Sequence, residues 1–111
     1  MDIESKSWLF DIATAITEIN TFLESVQDVK AYGADLKTKR AVERNIEIIG
    51  EAVSRILAKK GFIHLSNARK IVDTRNRIIH GYDTVSDEII WAIIKQYLPL
   101  RKQEVDALLD S

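Results

Sequence analysis

In most of the stretch from Trp8 to Leu109 apolar residues return every three or four positions, and the whole chain holds only four Gly and one Pro. That spacing is the period of an α-helix with one buried face, whereas a half-buried strand alternates at every second residue. Trp8, Ile12, Ala15, Ile16, Ile19, Phe22, Leu23 and Val26 predict a first helix over residues 4–27. Residues 28–34 contain Tyr32-Gly33 and lose the period. Asp35 stands where a carboxylate can cap a second helix through Val42, Ile46, Ile49, Val53, Ile56 and Leu57, and Gly61 is its natural stop. Residues 62–66 read as a short loop, with Ser66 the expected cap of a third helix through Ile71, Val72, Ile78 and Ile79 that ends at His80-Gly81. After loop 82–85, Ser86 with Asp87 and Glu88 behind it starts a fourth helix carrying Ile89, Ile90, Ile93, Ile94 and Tyr97. Pro99 lacks an N–H and disfavours helical geometry at Leu98, so this helix is expected to end or kink there, before a last segment through Leu100, Val105, Leu108 and Leu109. The fold class is therefore all-α, an antiparallel four-helix bundle plus a short C-terminal helix, in one domain spanning residues 1–111.

Charge excludes some functions. Sixteen Lys and Arg against 17 Asp and Glu leave a net charge of −1, so attraction to nucleic acid has to be local. Lys37, Lys39, Arg40 and Arg44 form one basic cluster, and Arg69, Lys70, Arg75 and Arg77 another. The plain alternative is a pair of solvated helix faces. With no Cys there is neither a disulfide nor a thiolate metal site, which fits a reducing cytoplasm. Charges interrupt every apolar run, which excludes a membrane span, and nothing near Met1 reads as a signal peptide. His64 stands alone in a loop, and two His in total provide no transition-metal set. No Gly-rich phosphate loop is present, which argues against the chain itself binding ATP as an enzyme, and no metal and no cofactor is expected. Trp8 and Trp91 read as packing residues.

One stretch is chemically equipped: Arg75-Asn76-Arg77-Ile78-Ile79-His80-Gly81-Tyr82. Arginine offers fixed donors for phosphate oxygens, and histidine takes and returns protons near neutrality. Together they point to chemistry on a phosphodiester.

The spacing of Arg, four residues, His, one residue, Tyr resembles the signature of the HEPN superfamily, in its branch of HepT-like toxins. Ala41-Val42-Glu43-Arg44 with Ile48-Ile49-Gly50-Glu51-Ala52 is similar to that family's second helix. Glu88-Ile89-Ile90-Trp91 through Leu98-Pro99 resembles its C-terminal part. The resemblance implies a metal-independent RNase toxin that acts on RNA as a homodimer, with the two motifs facing each other across a cleft. It makes Arg75 and His80 the catalytic residues and matches Asn76 to the residue after the motif Arg. It also implies an MntA-type minimal nucleotidyltransferase antitoxin that adds AMP to the motif tyrosine, here Tyr82. The chain departs from many relatives at Phe62-Ile63-His64-Leu65-Ser66, where they carry a Pro-rich turn with a Trp, so an RNA contact at the start of the third helix does not carry over.

RNA cleavage without a metal needs a base for the ribose 2′-hydroxyl, an acid for the leaving 5′-oxygen, and positive charge on the transition state. Arg75 can hold charge and His80 can move a proton. Five residues of ideal helix rotate about 140° and rise about 7.5 Å, so the two would not share a face of a regular helix. A left-handed cap at Gly81 that unwinds the last turn would bring the imidazole round. The helix C-terminus attracts positive charge, which suits His80 to an acid role. Glu51, or a residue from a second copy, would have to complete an acid and base pair. Glu51 and Glu47 form an i,i+4 acidic pair whose plain reading is a solvated face or a partner for Arg44 and Arg40, while the place of Glu51 in the family-like Gly50-Glu51-Ala52 block makes it, with Arg44 of the neighbouring block, a supporting candidate. In the competing structural reading Arg75 pairs with Glu51 or Glu47, while His80 and Tyr82 seal a helix end. Tyr82 is equally suited to accept AMP, to stack an RNA base or to cap the core. The alternative function is a non-catalytic HEPN partner that binds substrate or nucleotide for a separate nucleotidyltransferase.

Overall fold

Carboxylates open the first three helices. Asp2 accepts from the Ser5 N–H at 2.7 Å, Asp28 from Ala31 at 2.8 Å and Asp35 from Thr38 at 3.1 Å. Each satisfies a donor that the first helical turn leaves without a partner. In the computed structural model, which describes residues 1–59, 63–81 and 85–111, these helices are α1 (Ile3–Phe22), α2 (Val29–Ala34) and α3 (Leu36–Ala58). They are followed by α4 (Ala68–His80), α5 (Asp87–Ala92), a π-helical turn (Ile93–Tyr97) and α6 (Leu98–Leu109).

α1 buries Leu9, Ile12, Ala15, Ile16 and Ile19, while α3 buries Val42, Ile46, Ile49, Val53 and Ile56. Burying each such side chain fully contributes about 1.5–3 kcal/mol, which outweighs local propensity and fixes which faces meet. α3 lies between α1 and α4, and α6 closes against α1. Lys59, just beyond α3, bridges to Asp2 and, at 3.8 Å, to Glu4, which ties the end of α3 to the start of α1. Among the described residues the structure is all-helical, and no helix is long and apolar enough to cross a membrane.

Four expectations change. The first helix stops at Phe22 rather than reaching residue 27, and residues 28–34, expected to lack regular structure, supply α2. Six residues are too few to show a period. α2 is held instead by its Asp28 cap and by Tyr32, which is fully buried with its ring centroid 5.9 Å from that of Trp91. The Lys39–Asp87 ion pair at 2.9 Å fastens α3 to α5 beside it. The second predicted helix ends at Ala58; Gly61, its expected stop, lies outside the described residues.

Ser66 does not cap α4. The residue before that helix is Asn67, in the left-handed region at φ 54° with no side-chain cap. Ser66 turns to α6, where its hydroxyl donates to Glu104 at 2.6 Å and its N–H to the same carboxylate at 3.1 Å. The Ser66 carbonyl accepts from Arg101 at 2.7 Å. Arg101 is itself buried, with its guanidinium 4.8 Å from the Tyr97 ring centroid.

Pro99 neither ends the helix nor breaks it. The backbone stays right-handed helical at Ala92, Ile93, Tyr97 and Leu98. The turn before the proline widens instead, with the Leu98 N–H donating to Ile93 O, five residues back. A regular turn would press the proline ring on the carbonyl four residues earlier, and the wider turn relieves that clash.

Candidate active site

α4 is amphipathic, and its buried edge of Ala68, Ile71, Val72 and Thr74 sets its position against the bundle. Arg75 follows at the boundary, with 26% of its side chain exposed. It faces Gly50 of α3. A Cβ on Gly50 would lie 2.7 Å from Arg75 Cγ and 3.3 Å from the Ile71 carbonyl oxygen, so only glycine lets the two helices meet here. The aliphatic stem of Arg75 lies directly on the α3 backbone.

The guanidinium is then fixed at its tip. Nη2 donates to Glu51 Oε2 at 2.6 Å, and Nη1 donates to Asn76 Oδ1 at 2.8 Å. Nε is buried with no hydrogen-bond partner. The second oxygen of Glu51 accepts from Arg55 Nε at 3.0 Å, one helical turn on. The structure therefore brings together Arg75, Asn76 and Glu51 of the predicted set and adds Arg55. This is the ion pair of the competing sequence reading, with Glu51 as the partner. Arg44 makes no bond to this cluster and pairs with Glu47 at 3.2 Å.

A groove of about 480 Å³ runs past this cluster between α1, α3 and α4, lined by Trp8, Glu47, Glu51, Arg55, Arg75 and Ile79 among others. Its charged lining also includes Arg44 and Asp11, so three guanidiniums face three carboxylates. A second depression, of about 700 Å³, lies on the other side of Arg44 and Glu47 and reaches Arg77, Gly81 and Asp87. The first predicted basic cluster is largely compensated, since Lys39, Arg40 and Arg44 pair with Asp87, Glu43 and Glu47, and in the second Arg75 pairs with Glu51. Exposed pairs of this kind are worth little in stability, but they remove the net positive field that would draw RNA from a distance.

His80 is exposed at the last position of α4. Gly81 does adopt the left-handed conformation, at φ 62° and ψ 17°, and its N–H bonds Ile78 O at 3.4 Å. The expected unwinding is absent, however, because α4 stays helical through His80 and the chain turns only afterwards. Ile79, rather than His80, lines the Arg75 groove. Tyr82 lies outside the described residues. Gly50 and Arg55 are the residues that sequence reasoning did not single out. The signal for Gly50 was there, since a glycine inside an otherwise apolar helical run costs about 1 kcal/mol and usually has a packing reason.

A family model described as Ribonuclease HepT-like matches residues 12–108. The "Probable ribonuclease HepT" of Thermococcus cleftensis is 33% identical over 104 residues, covering 93% of this chain and 94% of that protein. A Methanocaldococcus jannaschii protein with an RNase name is 30% identical over 103 residues, covering 91% of this chain and 93% of its own. No solved structure gives a significant match.

Proposed function

This chain belongs to the HepT-like ribonuclease family, and on that premise we propose that it is a metal-independent endoribonuclease toxin of the cytoplasm. Arg75 and His80 are its catalytic residues, and two copies assemble as a homodimer so that two motifs serve one RNA strand. Arg75 binds the non-bridging oxygens of the scissile phosphate. The ribose 2′-oxygen attacks phosphorus and loses its proton to a base, while the P–O5′ bond breaks and His80 gives a proton to the departing oxygen. One histidine per motif cannot begin as both base and acid, so His80 of the partner subunit supplies the second proton-transfer group. Light scattering that finds only monomer, with or without RNA, would remove this step.

The observation that carries the reading is the fixed guanidinium. Arg75 is pressed on Gly50, held at both Nη atoms and open to a groove, as a preorganised phosphate donor should be. The helix that fixes it carries His80 at its exposed end. Regulation follows the same chemistry: an MntA-like nucleotidyltransferase antitoxin adds AMP to Tyr82, which places a phosphate beside the motif and excludes RNA.

The test is RNA cleavage in excess chelator by the wild type and by His80→Ala. Loss of a general acid should slow cleavage by about 10²–10⁴-fold while melting is unchanged. An equal rate in both proteins refutes the assignment. The Arg75–Glu51 pair favours one competing reading, a non-catalytic partner of a nucleotidyltransferase, which predicts RNA or nucleotide binding with no cleavage by either protein.

A further inference from the structure

We infer that Glu51 is a resident anion at the phosphate subsite of Arg75, which the RNA phosphate must displace and which Arg55 then retains. The inference rests on the reading of Arg75 as a phosphate-binding residue and adds an internal competitor to it.

A guanidinium presents two bidentate forks, Nε with Nη2 and Nη1 with Nη2. Both include Nη2, the nitrogen that Glu51 Oε2 holds at 2.6 Å. Nη2 carries one N–H for each fork, but Nε of the first fork is buried and Nη1 of the second is already on Asn76, so a phosphate that comes to the exposed tip meets the carboxylate on Nη2, and two anions side by side repel each other. One of them has to leave. Arg75 cannot move aside to serve both, because its Cβ and Cγ lie against the α3 backbone at Gly50 and its Nη1 is held by Asn76 at 2.8 Å.

Glu51 can leave. Its side chain is 42% exposed, and its other oxygen already accepts from Arg55 Nε at 3.0 Å. Arg55 is four residues further along α3, more exposed still at 58%, and free to swing with the carboxylate toward solvent. The exchange thus turns a carboxylate shared by two arginines into a phosphate on Arg75 and an ion pair on Arg55. No charge is left buried and unpaired.

The experiment is a fluorescence anisotropy titration with a 2′-O-methyl RNA oligonucleotide, whose blocked 2′-oxygens prevent cleavage. Wild type, Glu51→Gln, Arg75→Ala and the double variant are compared at one salt concentration. Glutamine keeps the shape and removes the charge, so Glu51→Gln should bind roughly tenfold tighter than wild type. The gain should vanish in the Arg75→Ala background, since the carboxylate competes only for that guanidinium. Glu51→Ser should show the same gain, which guards against a folding defect peculiar to one variant, and thermal melting reports folding for all. Equal or weaker binding by Glu51→Gln and Glu51→Ser overturns the inference and makes Glu51 a brace for Arg75. A gain that persists without Arg75 also overturns it, because Glu51 would then repel RNA merely as a surface charge. If Arg75→Ala itself changes neither binding nor cleavage, the proposed active site falls, a different outcome from either of these.

Discussion

Replacing Gly50 by alanine tests the contact on which the whole site rests. The added Cβ would lie 2.7 Å from Arg75 Cγ, with the Ile71 carbonyl oxygen at 3.3 Å. Carbon atoms rest about 3.5–4.0 Å apart, so Arg75 must withdraw by about 1 Å. A new rotamer cannot achieve this, because Arg75 Cβ also stands in the way and its position follows the α4 backbone. Two opposing terms set the stability. Gly→Ala in a helix gains about 1 kcal/mol of propensity, and overpacking a tight contact costs about 1–3 kcal/mol. The expected net is a loss of about 0–2 kcal/mol, or a melting temperature lowered by roughly 0–8 °C for a chain of this size. Activity should suffer far more. A displacement of about 1 Å in a group that must be aligned with the reacting phosphate costs about 10²-fold in rate. Calorimetric melting and single-turnover RNA cleavage on the same preparations read the two effects separately. If Gly50→Ala melts about 4 °C higher than wild type and cleaves at the same rate, helix propensity alone is at work and the close approach does not position Arg75.

Two further outcomes follow from other parts of the structure. At Glu104 burial pushes the carboxyl up, but the Ser66 hydrogen bonds and the Arg101 charge together outweigh it and hold the group below its ordinary value of 4.5. A depressed carboxylate stabilises the fold above its unfolded pKa and loses that contribution as pH falls through the folded one. Wild type should therefore exceed Glu104→Gln by about 1–2 kcal/mol in urea unfolding at neutral pH, and the gap should close in acid; a gap as wide at pH ~3 as at pH ~7 contradicts it. At Tyr82, incubation with the cognate nucleotidyltransferase, ATP and magnesium should add the mass of one or more AMP units and silence cleavage, whereas Tyr82→Phe escapes. Intact-mass spectrometry with peptide mapping decides, and labelling at another residue with inhibition retained in Tyr82→Phe rejects the switch.

The long helices were legible because their apolar stripes run for several turns, and the Asp35 and Ser86 caps were legible because a single side chain makes each one. What escaped depends on partners distant in sequence. Ser66 looks like a cap until Glu104, 38 residues on, takes its hydroxyl and its N–H. α2 is too short for periodicity and is held by tertiary contact through Tyr32. Pro99 was read by its local rule, which assumes a regular turn before it, and a widened turn is the other solution. At the site, the octet identified Arg75 by residue type alone. Its pairing with Glu51, 24 residues away, was one of two that the sequence offered, whereas the close approach to Gly50 could not be read that way, since it depends on how two helices cross.

The widened turn at Ile93–Tyr97 also alters how this helix counts its own length. Ile93 and Leu98, five residues apart across this turn, are both buried, whereas five residues of a regular α-helix would leave them about 140° apart. Because the Leu98 N–H reaches back five residues instead of four, that turn absorbs one residue without advancing the faces by a residue's worth of rotation. The rod from Asp87 to Leu109 is therefore one residue longer than its register requires. A sequence one residue shorter here, lacking the exposed Gln96, could present Trp91 to Tyr32 and Arg101 to Ser66 on a plain α-helix.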